Sequence, residues 1–220
     1  MFLSFVSIVT NIPLIIIGKP GTGKSLSVQL LNKSSKGEYS NNKFFKLYPK
    51  LIQTYFQGSL STETKDVENL FIRIGDKLTF YKKLLEQQIK EGLEVLINLP
   101  ISMACFDELG LAERSKNNPL KALHPKLDFA GKKPNESFVG ISNYSLDAAK
   151  LNRALVSSVP DLDGKKDELS FTAKKIVKGI CPKIKEDKIF DVLSYTYFEY
   201  KQKLQLIKEL MVYRKIKKKN

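Results

Sequence analysis

The stretch GKPGTGKS, at residues 18–25, combines glycines, a lysine and a serine directly after an apolar run. It fits the pattern GxxxxGK[ST] in full, and such glycines let backbone N–H groups curl around a phosphate. We expect Lys24 to reach the β- and γ-phosphates of a nucleotide and the Ser25 hydroxyl to bind Mg²⁺. The predicted nucleotide contacts are Gly18, Pro20, Gly21, Thr22, Gly23, Lys24, Ser25 and Leu26.

Two acids, Asp107 and Glu108, follow the apolar run ISMACF. A buried strand that ends in acids delivers them to the edge of a parallel sheet where ligands bind. We assign Asp107 to holding Mg²⁺ through water, and Glu108 to orienting or deprotonating an attacking water. The alternative is that the two acids only begin a loop or cap a helix.

Asn143 and Arg153 complete the candidate catalytic set, which also contains Lys24 and Glu108. Asn143 ends the predicted strand ESFVGISN and is expected to position water against the γ-phosphate, although a turn-forming asparagine is the alternative. Arg153 lies at the end of a short predicted helix. It either acts across an interface on a neighbour's γ-phosphate or forms a surface salt bridge, and the sequence leaves both open.

Predicted strands and helices alternate along the chain up to about residue 160, which indicates a three-layer α/β/α fold with a parallel five-stranded sheet. In the first helix after the glycine loop, Leu26, Leu30 and Leu31 are expected to share one face. A break near Gly75 is one option for the long helix at 65–92. The predicted strands lie at 14–17, 50–58, 101–108, 136–143 and 154–160, and the other helices at 2–9, 24–34, 119–129 and 145–153, the last with Ser145 as its cap.

The composition changes after Pro160, where DLDGKKDE reads as a charged linker and the following residues read as helices. We therefore predict an α/β nucleotide-binding core over residues 1–163 and a small all-helical second domain over residues 164–220. Whether this second domain is complete stays open.

The formal net charge of the 220 residues is +14, from 37 basic and 23 acidic side chains. The lysines are scattered and few aromatic residues lie among them, which favours a solvated surface over a nucleic-acid partner. A single histidine and two cysteines without a CxxC pair argue against a zinc site formed by this chain. Cys105 lies in an apolar run and is predicted to be a core residue.

The cysteine content fits a reducing compartment, and we predict the cytoplasm. The apolar stretch at residues 1–17 is interrupted by Asn11 and Pro13 and is too short to span a membrane. We expect it to be buried structure. It also suggests that the chain begins within a larger protein.

These motifs together resemble one AAA+ unit of the mysterin family, the giant dynein-like AAA+ ubiquitin ligases. The glycine loop matches Walker A, Asp107 and Glu108 match Walker B, Asn143 matches sensor 1, and the helical part matches a lid. The resemblance covers roughly residues 3–203. The matching blocks are IPLIIIGKPGTGKSLS, YFQGSLSTETKDVENLF, DELGLAERSKNNPLKALHPKLD and VGISNYSLDAAKLNRALV.

The resemblance implies ATP and Mg²⁺ as ligands, neighbouring AAA+ units in a ring as partners, and a connection with the ubiquitin machinery. It does not imply ubiquitin transfer by these residues, because no zinc-binding cysteine set exists in them. Arg214 only partly matches the family's lid arginine. The implied function is ATP hydrolysis that drives conformational change; the alternative is a nucleotide-dependent scaffold that hydrolyses little when isolated.

Overall fold

A computed structural model of the protein describes residues 1–92, 99–128, 135–160, 166–180 and 187–217. The chain divides into two compact units, Met1–Pro160 and Asp161–Asn220. Cys181, most of the predicted charged linker and the side chain of Arg214 lie outside the described residues. No helix of the described ranges is both long and apolar enough to cross a membrane.

The described strands of the first unit are β1 (Leu14–Ile17), β2 (Leu51–Gln57), β3 (Ile101–Asp107), β4 (Glu136–Ser142) and β5 (Leu155–Ser158). They form one five-stranded sheet in the order β2-β3-β4-β1-β5. Every neighbouring pair runs parallel, which confirms the predicted parallel α/β fold.

Helices cover both faces of this sheet. Those of the first unit are α1 (Phe2–Thr10), α2 (Lys24–Ser34), α3 (Lys43–Lys46), α4 (Thr64–Lys90), α5 (Leu109–Glu113), α6 (His124–Leu127) and α7 (Ala148–Leu151), with 3-10 turns at Gly37–Tyr39 and Pro119–Leu123. The second unit contains α8 (Lys166–Ile180) and α9 (Asp187–Lys217). Within it, Lys174 of α8 forms an ion pair with Asp191 of α9, with a distance of 3.0 Å between Nζ and Oδ1.

The side chains of β3 alternate between two hydrophobic layers, as expected for a strand buried on both faces. Ala104 and Phe106 point to the layer that contains Leu70 of α4. Met103 and Cys105 point to the layer that contains Val28 of α2. The next residue of the second set is Asp107, so its carboxylate emerges on the α2 side of the sheet.

The prediction that Leu26, Leu30 and Leu31 form one apolar face of α2 is wrong in part. Leu26 and Leu30 are exposed, whereas Val28 and Leu31 are buried against the sheet. The helix begins at Lys24, directly after the glycine loop, and this start sets a rotation in which Leu26 faces away from the core.

Helix α4 runs without a break through Gly75. Leu70, Ile74 and Leu78 on one face of the helix are buried on both sides of this glycine. A single glycine costs a helix about 1 kcal/mol relative to alanine, which is less than the burial of these side chains contributes. The option of a helix break there is therefore wrong.

The predicted helix at 145–153 is shorter than expected, because α7 begins after Asp147 and Ser145 does not cap it. Leu146 is buried, and the backbone N–H of Asp147 donates to Glu113 Oε1 at 3.0 Å. These contacts hold the chain outside a helix up to Asp147. The helix predicted at 119–129 is a 3-10 turn followed by the single turn α6, and Phe129 lies outside the described residues.

Cys105 provides a direct test of the buried sheet. Cys105 is 1% exposed, and burial raises the pKa of its thiol to about 12. Because a thiol reacts as the thiolate, Cys105 in a Cys181→Ser background should react with a disulfide reagent at about pH 8 at least ~100-fold more slowly in the native than in the urea-unfolded chain. Equal rates in the two states, followed by absorbance, would place β3 on an accessible surface.

Candidate functional site

The glycine loop lies between the end of β1 at Ile17 and the start of α2 at Lys24. Gly21 and Gly23 have φ angles of +81° and +80°, in the left-handed region that other residues rarely adopt. A Cβ atom at either position would meet nothing within 4 Å. The backbone conformation is what requires glycine there, and the space beside the loop is open for a ligand.

The Lys24 side chain folds back over the loop. Its Nζ donates to Gly18 O at 2.7 Å, to Lys19 O at 2.8 Å and to Asn143 Oδ1 at 2.9 Å. Burial lowers the pKa of Lys24, while the negative charges of Asp107 and Glu108 act in the opposite direction. Three acceptors around one nitrogen match the three donors of an ammonium group.

Asp107 ends β3 and its carboxylate accepts three hydrogen bonds. Ser25 Oγ donates to Oδ2 at 2.9 Å, Tyr55 Oη donates to Oδ2 at 3.1 Å, and the backbone N–H of Glu108 donates to Oδ1 at 2.9 Å. The contact with Ser25 follows from the alternation of β3, because Asp107 emerges on the face of the sheet where α2 begins. A hydroxyl and a carboxylate side by side are oxygen donors of the kind that Mg²⁺ prefers, together with several waters.

Glu108 follows directly and adopts φ 54° and ψ 39°, a left-handed conformation that is uncommon and strained for a residue with a side chain. The turn starts α5 at once and leaves the Glu108 carboxylate near the end of β4. There, Asn143 Nδ2 donates to Oε1 at 3.0 Å and to Oε2 at 3.1 Å. The Asn143 amide therefore links the Lys24 ammonium to the Glu108 carboxylate.

These groups surround one open cleft with a volume of about 300 Å³. The cleft brings together residues that are predicted from the sequence to bind phosphate, to hold a metal ion and to position water. It is lined by Pro20, Gly21, Gly23, Lys24, Ser25, Leu26, Asp107, Glu108 and Asn143.

Three predicted site residues do not line the cleft. Gly18 and Thr22 belong to the loop and support it, since Gly18 O accepts from Lys24 and Thr22 Oγ1 donates to Lys19 O at 2.8 Å. Arg153 is placed elsewhere: its Nε lies 2.6 Å from Asp128 Oδ1, and its Nη1 donates to Ala149 O at 3.1 Å. Within this chain Arg153 therefore forms a salt bridge, which was one of the two alternatives. Its action on the γ-phosphate of a neighbouring unit stays a prediction.

A set of polar contacts behind the cleft joins α5 to the segment that follows β4. Lys150 Nζ lies 2.7 Å from Glu113 Oε1, in an ion pair that is largely shielded from solvent. The Arg114 guanidinium lies 4.2 Å from the centre of the Tyr144 ring. These contacts hold Glu108, at the start of α5, beside Asn143. Sequence reasoning did not find them, because each pair is distant along the chain.

The family model of the RNF213 AAA domain matches residues 1–166 of the chain. The chain belongs to this family. It is 31% identical over 187 residues to the E3 ubiquitin-protein ligase RNF213 of Homo sapiens, and 32% identical over 188 residues to rnf213-beta of Danio rerio. Each alignment covers 82% of this chain and 3% of the relative, so the chain spans about 3% of the length of these curated relatives.

Among solved structures, the chain is similar to a point variant of RuvB from Thermotoga maritima, with a TM-score of 0.51 and 14% identity. The similarity covers 86% of this chain and 51% of that one, and it concerns the fold alone. Together with the RNF213 family match, it establishes an AAA+ module with a P-loop NTPase fold. The resemblance to the mysterin family, to which RNF213 belongs, is confirmed.

Gly110 in α5 lies close to the end of β4 and to the segment that follows it. A Cβ atom there would lie 2.6 Å from Ser142 Oγ and 3.3 Å from Tyr144 Cδ2. Since Ser142 Oγ also donates to Tyr144 O, it has little freedom to move away. We expect Gly110→Ala to lower the free energy of unfolding by about 1–3 kcal/mol, measured by urea denaturation, because α5 must shift.

Gly75→Ala in α4 is the matched control, because a Cβ atom there has Glu136 Oε1 at 3.8 Å as its nearest neighbour outside the helix backbone. This change should be neutral or stabilising by up to about 1 kcal/mol. If Gly110→Ala is as stable as Gly75→Ala, α5 does not pack against the end of β4 as described.

Proposed function

We propose that this AAA+ module binds and hydrolyses Mg–ATP and that hydrolysis drives a conformational change. The observation that carries the proposal is the connected set of hydrogen bonds among Lys24, Ser25, Asp107, Glu108 and Asn143 around one cleft. Three separate segments of the chain contribute these residues. Family membership supports the same conclusion.

The loop and Lys24 would bind the phosphates. The backbone N–H groups of a glycine loop and the start of the following helix favour an anion at this place. Lys24 Nζ is held over the loop by neutral acceptors, two of them backbone carbonyl oxygens. A phosphate oxygen carries negative charge and forms a stronger hydrogen bond with an ammonium group, so a phosphate can displace these acceptors.

Ser25 and Asp107 would hold the metal ion, with Asp107 acting through water. When bound, Mg²⁺ neutralises negative charge on the phosphate oxygens during phosphoryl transfer. The donor set fits this ion, because Ser25 Oγ and Asp107 Oδ2 already lie 2.9 Å apart in the open cleft.

Glu108 would accept the proton of the attacking water as the water oxygen bonds to the γ-phosphorus and ADP leaves. Its carboxylate lines the cleft. The Asn143 amide contacts both carboxylate oxygens and the Lys24 ammonium, so it fixes the base relative to the group that binds the phosphates.

We further propose that the module works in the cytoplasm beside other AAA+ units in a ring, within a larger protein of the mysterin type. The connection with ubiquitin belongs to that larger protein, and ubiquitin transfer is not proposed for these residues. Arg153 would act on a neighbour's γ-phosphate only after its release from Asp128.

Glu108→Gln tests the assignment of the base. The change preserves the size of the side chain and removes its basicity, so ATP binding should stay within about twofold while single-turnover hydrolysis falls about 100- to 10,000-fold. Lys24→Ala should instead abolish ATP binding. The exposed Glu38 provides the control, since Glu38→Gln should change neither quantity.

If the wild-type chain hydrolyses ATP and the Glu108→Gln variant does so equally fast, the role assigned to Glu108 is refuted. If the wild-type chain binds ATP and neither protein hydrolyses it, the second candidate function, a nucleotide-dependent scaffold, is favoured. One observation favours that candidate for the isolated chain. The Asn143 amide donates to both oxygens of Glu108, so an attacking water would have to compete with this amide for the carboxylate.

A further inference from the structure

We propose that Tyr55 is a positioning residue that orients the Asp107 carboxylate toward a metal ion in the cleft. This inference deepens the proposed function and rests on it. Tyr55 Oη donates to Asp107 Oδ2 at 3.1 Å, and nothing in the sequence pattern assigns this tyrosine to the site.

The pairing of β2 with β3 explains how Tyr55 reaches Asp107. The two strands are parallel, with Tyr55 opposite Cys105 and Gln57 opposite Asp107. Side chains two residues apart on a strand share a face, so Tyr55, Cys105 and Asp107 all lie on the α2 side of the sheet. The length of the tyrosine side chain carries its hydroxyl along the strand direction to the carboxylate.

Contacts on both sides of Tyr55 fix this end of β2. The backbone N–H of Gly58 donates to Asp107 O at 2.8 Å, which continues the strand pairing past Gln57. On the opposite face, Lys77 Nζ of α4 donates to Thr54 Oγ1 at 2.8 Å and to Gln53 O at 3.2 Å. The strand is thus held in the register that places the Tyr55 hydroxyl beside Asp107.

Tyr55 differs from the other side chain that donates to Oδ2. Ser25 is itself a proposed metal ligand, so its hydroxyl has a second role, whereas Tyr55 contacts the carboxylate from the neighbouring strand. A tyrosine hydroxyl ordinarily keeps its proton throughout the physiological pH range, so the Tyr55 hydroxyl is available as a donor to Asp107.

The Tyr55→Phe variant removes only the hydroxyl and tests this role. The measured quantity is the Mg²⁺ concentration that half-saturates the binding of a fluorescent non-hydrolysable ATP analogue. Partners that orient metal ligands commonly affect metal affinity by tenfold or more, and Tyr55 is one of three donors to Asp107, so we expect this concentration to rise about three- to tenfold. Affinity for the analogue in EDTA should stay unchanged, because Tyr55 does not line the cleft.

Tyr39→Phe is the matched control, because Tyr39 is 84% exposed on a separate turn and the same hydroxyl is lost. This variant should retain the wild-type Mg²⁺ dependence. Ser25→Ala, which removes a proposed ligand, should shift the Mg²⁺ dependence at least as far as Tyr55→Phe.

An unchanged Mg²⁺ dependence in Tyr55→Phe, with a shift in Ser25→Ala, would overturn the inference and leave the proposed function standing. Equal weakening of binding in Mg²⁺ and in EDTA, with a lower melting temperature, would show that Tyr55 only supports the fold and would also overturn it. If the wild-type chain binds the analogue equally well in Mg²⁺ and EDTA, both the inference and the proposed metal site fail.

Discussion

The hydrogen bond between Ser25 and Asp107, 2.9 Å long, joins the first turn of α2 to the end of β3. The rest of the site depends on this contact, because it fixes the glycine loop against the acidic end of the sheet. The strands that carry the two motifs are not adjacent, since β4 lies between β1 and β3. Asn143 at the end of β4 therefore falls between Lys24 and Glu108 and contacts both.

The sequence predicts the fold where local patterns and tertiary packing agree. The short apolar runs 14–17 and 101–107 are buried strands because both faces of the sheet are covered, so continuous apolar sequence was a reliable signal. The predictions were wrong where packing outweighs local preference. Gly75 stays helical because buried residues anchor α4 on both sides of it, and Leu26 is exposed because the glycine loop sets the rotation of α2.

The candidate site could be predicted as a list of residues but not as a geometry. Lys24, Asp107 and Asn143 lie close together, as expected when the carboxyl ends of parallel strands meet at one edge of a sheet, and the roles assigned to them stay predictions. The motifs gave no indication of Tyr55, whose proposed role requires the register of β2 against β3. The left-handed backbone of Glu108 was equally hidden, since no local signal marks a strained conformation in a residue with a side chain.

We propose that the start of α2 and the end of β3 share one metal-bound triphosphate. Crystals of the chain grown with Mn²⁺ and a non-hydrolysable ATP analogue would test it through the anomalous signal of manganese. One strong peak is expected next to Ser25 Oγ on the side of the Asp107 carboxylate, with the terminal phosphate near Lys24 Nζ. A triphosphate bound outside this cleft, or a manganese peak remote from both Ser25 and Asp107, would contradict it.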